Sequence, residues 1–440
     1  MSAEIVYSNR IPLRYDTDVF VAGGGPAGVA AAVFAARMGA RVYLAESSGS
    51  FGGAASTMLV PAYMQFGDGE HFLAAGIGRE VYDNLKAEEP ESYRKYCPNG
   101  IPVEILKLCY DEMMTKCGAS FSFFTTVIDV ITGDRGIDTV ICSAKDGLFA
   151  VRAKVFIDCT GDADLSALAG AECKKGDDAT GEVMAATLCG LWEGADFSRM
   201  SGAQSKRLED AFRDHVFTNT DRHLPGMWKI KEGVTGSNAG HIYDVDSTNS
   251  DSMTAAMIAG RRQLREYRRY YREYLEGYEN LELVISAPVI GIRESRRVMG
   301  DYVMTLDDFN RRASFEDEIG RYCYPVDIHA GRNTDEGYNK FATEHASLRY
   351  KSGESYGIPY RMLVAKNFDN LLVAGRCVST DRYMQSSIRV MPGCYITGQA
   401  CGAAAALCVA DRTDTRGVDI VKLQRALAHG GAYLQNFRED

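Results

Sequence analysis

Asp18-Val-Phe-Val-Ala-Gly23-Gly24-Gly25-Pro26-Ala27-Gly28 is a short apolar run that meets glycines at once. Val29 to Met38 follows, mostly Ala and Val, and reads as a buried helix ended by Gly39-Ala40. Arg41-Val-Tyr-Leu-Ala-Glu46 reads as a second strand. Together these make a βαβ unit about 30 residues long. Gly23, Gly25 and Gly28 occupy the glycine positions of G-x-G-x-x-G. The first permits a tight turn, the second lets backbone approach a pyrophosphate, and the third lets helix and strand pack closely. The helix start at Pro26 and Ala27 offers free N–H groups and a favourable dipole to an anion. Glu46, 18 residues beyond Gly28, ends the second strand. A carboxylate there accepts from ribose hydroxyls and repels a 2′-phosphate. The unit reads as a dinucleotide site, and the glycines alone do not separate NAD from FAD.

Working outward, Ser47 and the loop at Gly52, Gly53 and Ala54 follow closely enough for a second approach to the ligand. Glu70–Leu85 and Val103–Cys117 have helical spacing. Phe121–Val130, Thr139–Ala144 and Phe149–Cys159 read as a three-stranded meander with turns at Gly133–Gly136 and Lys145–Gly147, placing Val127 near the nucleotide. Thr160, Gly161 and Asp162 end a strand. Met253–Tyr278 is a long helical stretch whose Arg-rich face reads as solvated, or as a subunit contact. Near Asn370-Leu-Leu-Val-Ala-Gly375-Arg376 the buried-strand pattern returns, and Pro392-Gly393 opens a helix over about Cys394–Val409. The expected fold is α/β: a Rossmann-like FAD/NAD(P)-binding domain with a β-meander, formed by residues 1–165 and 351–440, plus an inserted α+β substrate domain at 166–350.

The 440 residues carry 49 basic and 59 acidic side chains, a net charge of -10. That balance argues against a nucleic-acid partner. No run approaches the roughly 20 apolar residues of a membrane span, and the first residues do not read as a secretory signal. The 12 cysteines include no C-x-x-C pair and no zinc spacing with histidine, so no metal site is expected. Reduced, buried thiols fit a cytoplasmic protein. The missing C-x-x-C also removes a flavin–disulfide mechanism. Cys394 at a helix start would have a lowered pKa, unless it is simply a buried filler.

The chain resembles the FAD-dependent oxidoreductases with the two-dinucleotide-binding-domain fold, and more distantly the fumarate reductase and succinate dehydrogenase flavoproteins. The resemblance rests on the N-terminal glycine segment, Ile157–Asp164, Gly291-Ile-Arg-Glu-Ser-Arg-Arg297, Asn370–Arg376, Ser387-Ile-Arg-Val-Met-Pro392 and Gly398-Gln-Ala-Cys-Gly402. It implies non-covalent FAD, with Gly375, Arg376, Met391, Pro392, Gly393 and Cys394 beside the flavin. A helix starting at Pro392 would aim its positive end at the flavin N1/O2 edge. Gly393, Gly398 and Gly402 would permit close approach. Where the family suggests a Thr-His segment, this chain has Ser379-Thr-Asp-Arg-Tyr-Met-Gln385, read as a pocket-lining loop in which Arg382 replaces a missing group.

Arg293, Arg296 and Arg297 crowd three guanidiniums into five residues. They bind anionic substrate, or form a structural ion-pair network. Arg293 and Arg389 are the candidates for orienting substrate. His329 is the candidate general acid/base, since a histidine titrates near working pH. The other histidines show no comparable context. Tyr324 and Tyr360 are weaker candidates for pocket hydroxyls. The leading reading is an FAD oxidoreductase moving two electrons, hydride-like, between flavin N5 and a small polar or anionic substrate, in either direction, with an unnamed electron donor or acceptor. An NAD-dependent dehydrogenase and a non-catalytic FAD-binding protein are the alternatives.

Overall fold

Five short parallel strands lie in the order Leu371–Val373, Val155–Asp158, Val19–Ala22, Val42–Ala45, Ser120–Ser122. They belong to a computed structural model that describes residues 5, 8–89, 91, 95, 98–219, 221, 226–343 and 347–438. The three inner strands are buried along their whole length, as strands covered on both faces must be. Their register is level. Ala22 faces Ala45 on one side and Asp158 on the other, and Val373 faces Asp158. The turns that follow these strands therefore open at one edge, where open α/β sheets bind ligands. Asp158, wholly buried, shapes one of those turns by accepting from the N–H and hydroxyl of both Thr160 and Ser166.

Helix Pro26–Arg37 follows the glycine turn and packs against the long helix Met391–Asp411. A Cβ on Gly398 would lie 2.1 Å from the Ala27 carbonyl oxygen, and one on Gly402 2.3 Å from that of Ala31. The two glycines, one turn apart, thus serve helix packing; their expected close approach is to this helix. Met391–Asp411 is long and apolar enough to cross a membrane by composition, and 83% of that apolar stretch is buried inside the protein.

The meander comprises Thr126–Gly133, Gly136–Ala144 and Gly147–Arg152, with Leu13–Asp16 added in parallel. The run 149–159, expected as one strand, divides after Arg152. Lys154 and Val155 both donate their N–H to the Asp18 carbonyl, which turns the chain into the central sheet. The helix expected over 70–85 begins only at Ile77, because Asp68 accepts from the N–H groups of Glu70 and His71 and closes a turn. The Arg-rich helix runs Ser250–Tyr274, capped by Asn249, and its Arg268 and Arg272 pair with Glu282. Its opposite face buries Tyr267, Tyr270 and Tyr271 in one cluster with Trp192 of a four-stranded antiparallel sheet. Met304, Phe309, Ile319, Tyr322, Val326 and Ile328, expected with the inserted domain, share the core of the glycine helix.

Candidate active site

The level strand ends open into a cavity of about 420 Å³. Gly23, Gly25, Pro26 and Ala27 line it from the glycine turn, and Glu46 and Ser47 from the next strand end. Gly53, Ala54 and Val127 follow, then Thr160, Gly161 and Asp162, and finally Gly375, Arg376, Met391 and Cys394. Arg293, His329 and Arg389 face the same space. Four expected cofactor contacts stand off the cavity wall. Gly28 serves helix–strand packing, since a Cβ there would lie 1.8 Å from the Gly23 carbonyl oxygen. Gly52, at φ +110°, donates its N–H to Gly24 at 2.9 Å and so shapes the loop beneath. Pro392 and Gly393 form the first turn of the long helix, and Gly393 is kept small by the Ile388 carbonyl.

Two helix starts point at this cavity, and neither is capped by a side chain: Gly25 before Pro26–Arg37, and Val390 before Met391–Asp411. Uncapped helix starts hold unpaired N–H donors and favour negative charge. No atom lies within 4 Å of a Cβ placed on Gly25, so its backbone is open to a ligand. Glu46, 8% exposed, accepts from the N–H of Gly24 at 2.6 Å and of Ser48 at 2.7 Å. Oε2 has a second lone pair available for a ribose hydroxyl, while Oε1 also accepts from the Ser47 hydroxyl at 3.5 Å. The residues fit a dinucleotide with a pyrophosphate near Gly25 and a second electronegative edge near Met391.

Arg293 is 7% exposed and reaches over from the inserted region. Its guanidinium donates to the Ala185 carbonyl and the Thr187 hydroxyl, each at 2.8 Å, and to Asn238 Oδ1 at 3.1 Å. All three acceptors are neutral, and among the described residues no carboxylate is in direct contact with its charge. Burial and the neighbouring Arg389 lower its pKa to about 10. Arg389 donates to the carboxylate and the carbonyl of Asp327, both at 3.1 Å. His329 Nε2 lies 3.4 Å from Asp327 Oδ1. Burial and the Arg293 charge push His329 down to about 3, so at neutral pH it is an uncharged imidazole. The charges around it hold Asp327 well below the usual carboxylate range.

Other expectations are revised. Arg296 bonds the Asp162 carbonyl and Asp164, and Arg297 bonds Glu294, so both are structural. Residues 379–385 do not line the cavity. Asp381 instead caps helix Arg382–Ile388 and accepts from Leu306 N–H, while Arg382 pairs with Glu294 and Asp177. Tyr324 reaches the cavity, but Tyr360 is a core residue donating to the Thr415 carbonyl. Cys394 is not activated by its helix start; burial pushes its thiol up to about 12. His241, given no role from the sequence, lies 2.8 Å from His329. Thr187, Asn238 and Asp327 were missed as well, because each owes its place to a distant segment.

The model of the FAD dependent oxidoreductase family matches residues 18–427. No curated protein matches the chain. Similar solved structures include p-nitrophenol 4-monooxygenase PnpA from Pseudomonas putida DLL-E4, at 12% identity over 94% of this chain and 89% of that one, with a TM-score of 0.48. A geranylgeranyl bacteriochlorophyll reductase-like protein from Thermoplasma acidophilum is 12% identical over 94% and 83%, with a TM-score of 0.45. The flavin-dependent brominase Bmp2 is 13% identical over 94% and 83%, with a TM-score of 0.46. The matched span takes in the glycine turn, Glu46 and both uncapped helix starts, and the chain belongs to the FAD dependent oxidoreductase family.

Proposed function

We propose that the protein oxidises a small organic substrate carrying a carboxylate or similar anionic group, removing a hydride from a carbon and a proton from its hydroxyl or amine. The observation that carries this reading is Arg293: a buried cation facing the cavity, fixed by three neutral acceptors, with His329 on the same wall. A buried charge without a contacting counter-ion is costly, and an anionic substrate supplies that partner. FAD, when bound, supplies the two-electron acceptor. Arg293 and Arg389 orient the substrate, and uncharged His329 takes its proton at Nε2. Asp327 holds Arg389 in place. Met58, Val60 and Met64 give the cavity an apolar side that excludes water from the reacting carbon.

The test is the visible spectrum of the purified protein under anaerobic titration with a panel of hydroxy acids and amino acids. Flavin bands that bleach with such a donor in the native protein and persist with Arg293→Leu support the proposal. Bleaching by NADH or NADPH alone, with none from any carboxylate donor, overturns it in favour of a reductase or oxygenase.

A further inference from the structure

The charges on the cavity wall pair unevenly. Three guanidiniums line it, those of Arg293, Arg376 and Arg389. Arg376 lies 3.0 Å from Asp162 at the nucleotide end. Arg389 donates to Asp327 Oδ2 at 3.1 Å, and the same oxygen accepts from the Tyr324 hydroxyl at 3.4 Å. The other Asp327 oxygen lies 3.4 Å from His329 Nε2. Burial raises the Asp327 carboxyl, but His329, Arg389 and Arg293 hold it well below the usual carboxylate range, so it is ionised at neutral pH. Of the three guanidiniums, Arg293 is the one bonded only to neutral acceptors. The substrate wall thus sets two cations, Arg293 and Arg389, against one anion, Asp327. One positive charge is left over, and it sits on Arg293.

We propose that Asp327 is a specificity-determining residue, and that the cavity takes substrates with a single carboxylate and an apolar remainder while rejecting dicarboxylates. The inference rests on the proposed binding of an anionic substrate. One carboxylate on Arg293 balances the leftover charge. A second would lie beside Asp327, where two carboxylates repel, or against Met58, Val60 and Met64, where a charge finds no partner. Met64 borders the Tyr324 wall, because the next residue, Gln65, donates to the Cys323 carbonyl at 3.4 Å and its own carbonyl accepts from the Tyr322 hydroxyl at 3.0 Å. Arg389 keeps a use. Its Nε is buried with no hydrogen-bond partner among the described residues, and its charge is met by Asp327. It therefore suits a neutral oxygen, such as the hydroxyl of the substrate. A site separates ligands that share one favourable contact by opposing the group that differs between them.

The test is isothermal titration calorimetry of the FAD-loaded protein at pH 7. Propionate, butyrate and valerate are each compared with the dicarboxylate of equal chain length: malonate, succinate and glutarate. The native protein is expected to bind the monocarboxylate of a pair at least about 10-fold more tightly. Asp327→Asn keeps an oxygen for Arg389 and removes the charge. It is expected to retain FAD and to bind dicarboxylates about 10- to 100-fold more tightly than the native protein does, with monocarboxylates changed less. Adding Arg389→Gln to that variant should cancel the gain, because the gain runs through the freed cation. Dicarboxylates that bind the native protein as tightly as their monocarboxylate counterparts overturn the inference and leave the anionic substrate standing. A ratio indifferent to Asp327→Asn overturns it as well. The native ratio needs no variant, so it decides even if Asp327→Asn does not fold. Binding of neither series overturns the proposed function itself, and this inference with it.

Discussion

Gly398 sits so close to Ala27 that a Cβ on it would lie 2.1 Å from the Ala27 carbonyl oxygen. The contact fixes the spacing of two helix starts, at Gly25 and at Val390, across one cavity. A residue that reads as a flavin contact in the sequence therefore acts on the ligand through helix packing.

Gly398→Ala forces backbone apart in a closely packed core, where an added methyl typically costs about 1–3 kcal/mol. Urea unfolding of the holoprotein should show that loss. The variant should also release FAD more readily, because the two helix starts no longer converge. Unchanged stability together with unchanged FAD affinity would refute the packing role.

Glu46→Gln keeps the shape of the side chain and removes its charge. Hydrogen bonds to a charged group contribute about 1.5–3 kcal/mol. The Kd for FAD should rise about 10- to 100-fold, measured by quenching of flavin fluorescence on the apoprotein. Glu46 accepts from Gly24 N–H, so the glycine turn should loosen as well and expose its amides to hydrogen exchange.

The nucleotide half was legible because its signals are local. Asp18–Glu46 carries strand, turn, helix and acid within one βαβ unit, and all but two of its expected contacts, Gly28 and Gly52, stand on the cavity wall through Ala54. The substrate half was less legible because its geometry comes from segments far apart. His241 and His329 are 88 residues apart, and Arg293 and Asn238 are 55 apart. No spacing rule joins such pairs. The segment 379–385 misled for a related reason. Its polar residues suggest a pocket, but Asp381 and Arg382 are consumed by a helix cap and by a buried pairing with Glu294.

Arg293→Met removes one of the cavity's guanidiniums, the one bonded only to neutral acceptors, and should weaken binding of small carboxylates, followed through the perturbation of the flavin spectrum. A charge-assisted bond lost at about 1.5–3 kcal/mol predicts a 10- to 100-fold rise in Kd. The same change removes a positive neighbour of His329, so the histidine should titrate at higher pH in the variant. An NMR titration of His329 decides the sign, and a downward movement would refute the assigned coupling.

His329 also predicts a pH dependence of stability. Its folded pKa of about 3 lies below the ordinary histidine value of 6.5. Between these values the unfolded chain binds more protons than the folded one, so stability rises with pH. The contribution of His329 is fully present above about pH 6.5 and is lost progressively as the pH falls toward 3. One proton sets an upper slope of about 1.4 kcal/mol per pH unit. His329→Gln should therefore flatten the loss of stability between pH 6.5 and 5, read from urea midpoints at constant m. Burial raises the Asp327 carboxyl, but His329, Arg389 and Arg293 together hold it well below the usual carboxylate range, so removing His329 relaxes part of that hold. Equal slopes in the two proteins would mean that His329 is protonated in the folded state, and would remove the uncharged base on which the proposed proton transfer depends.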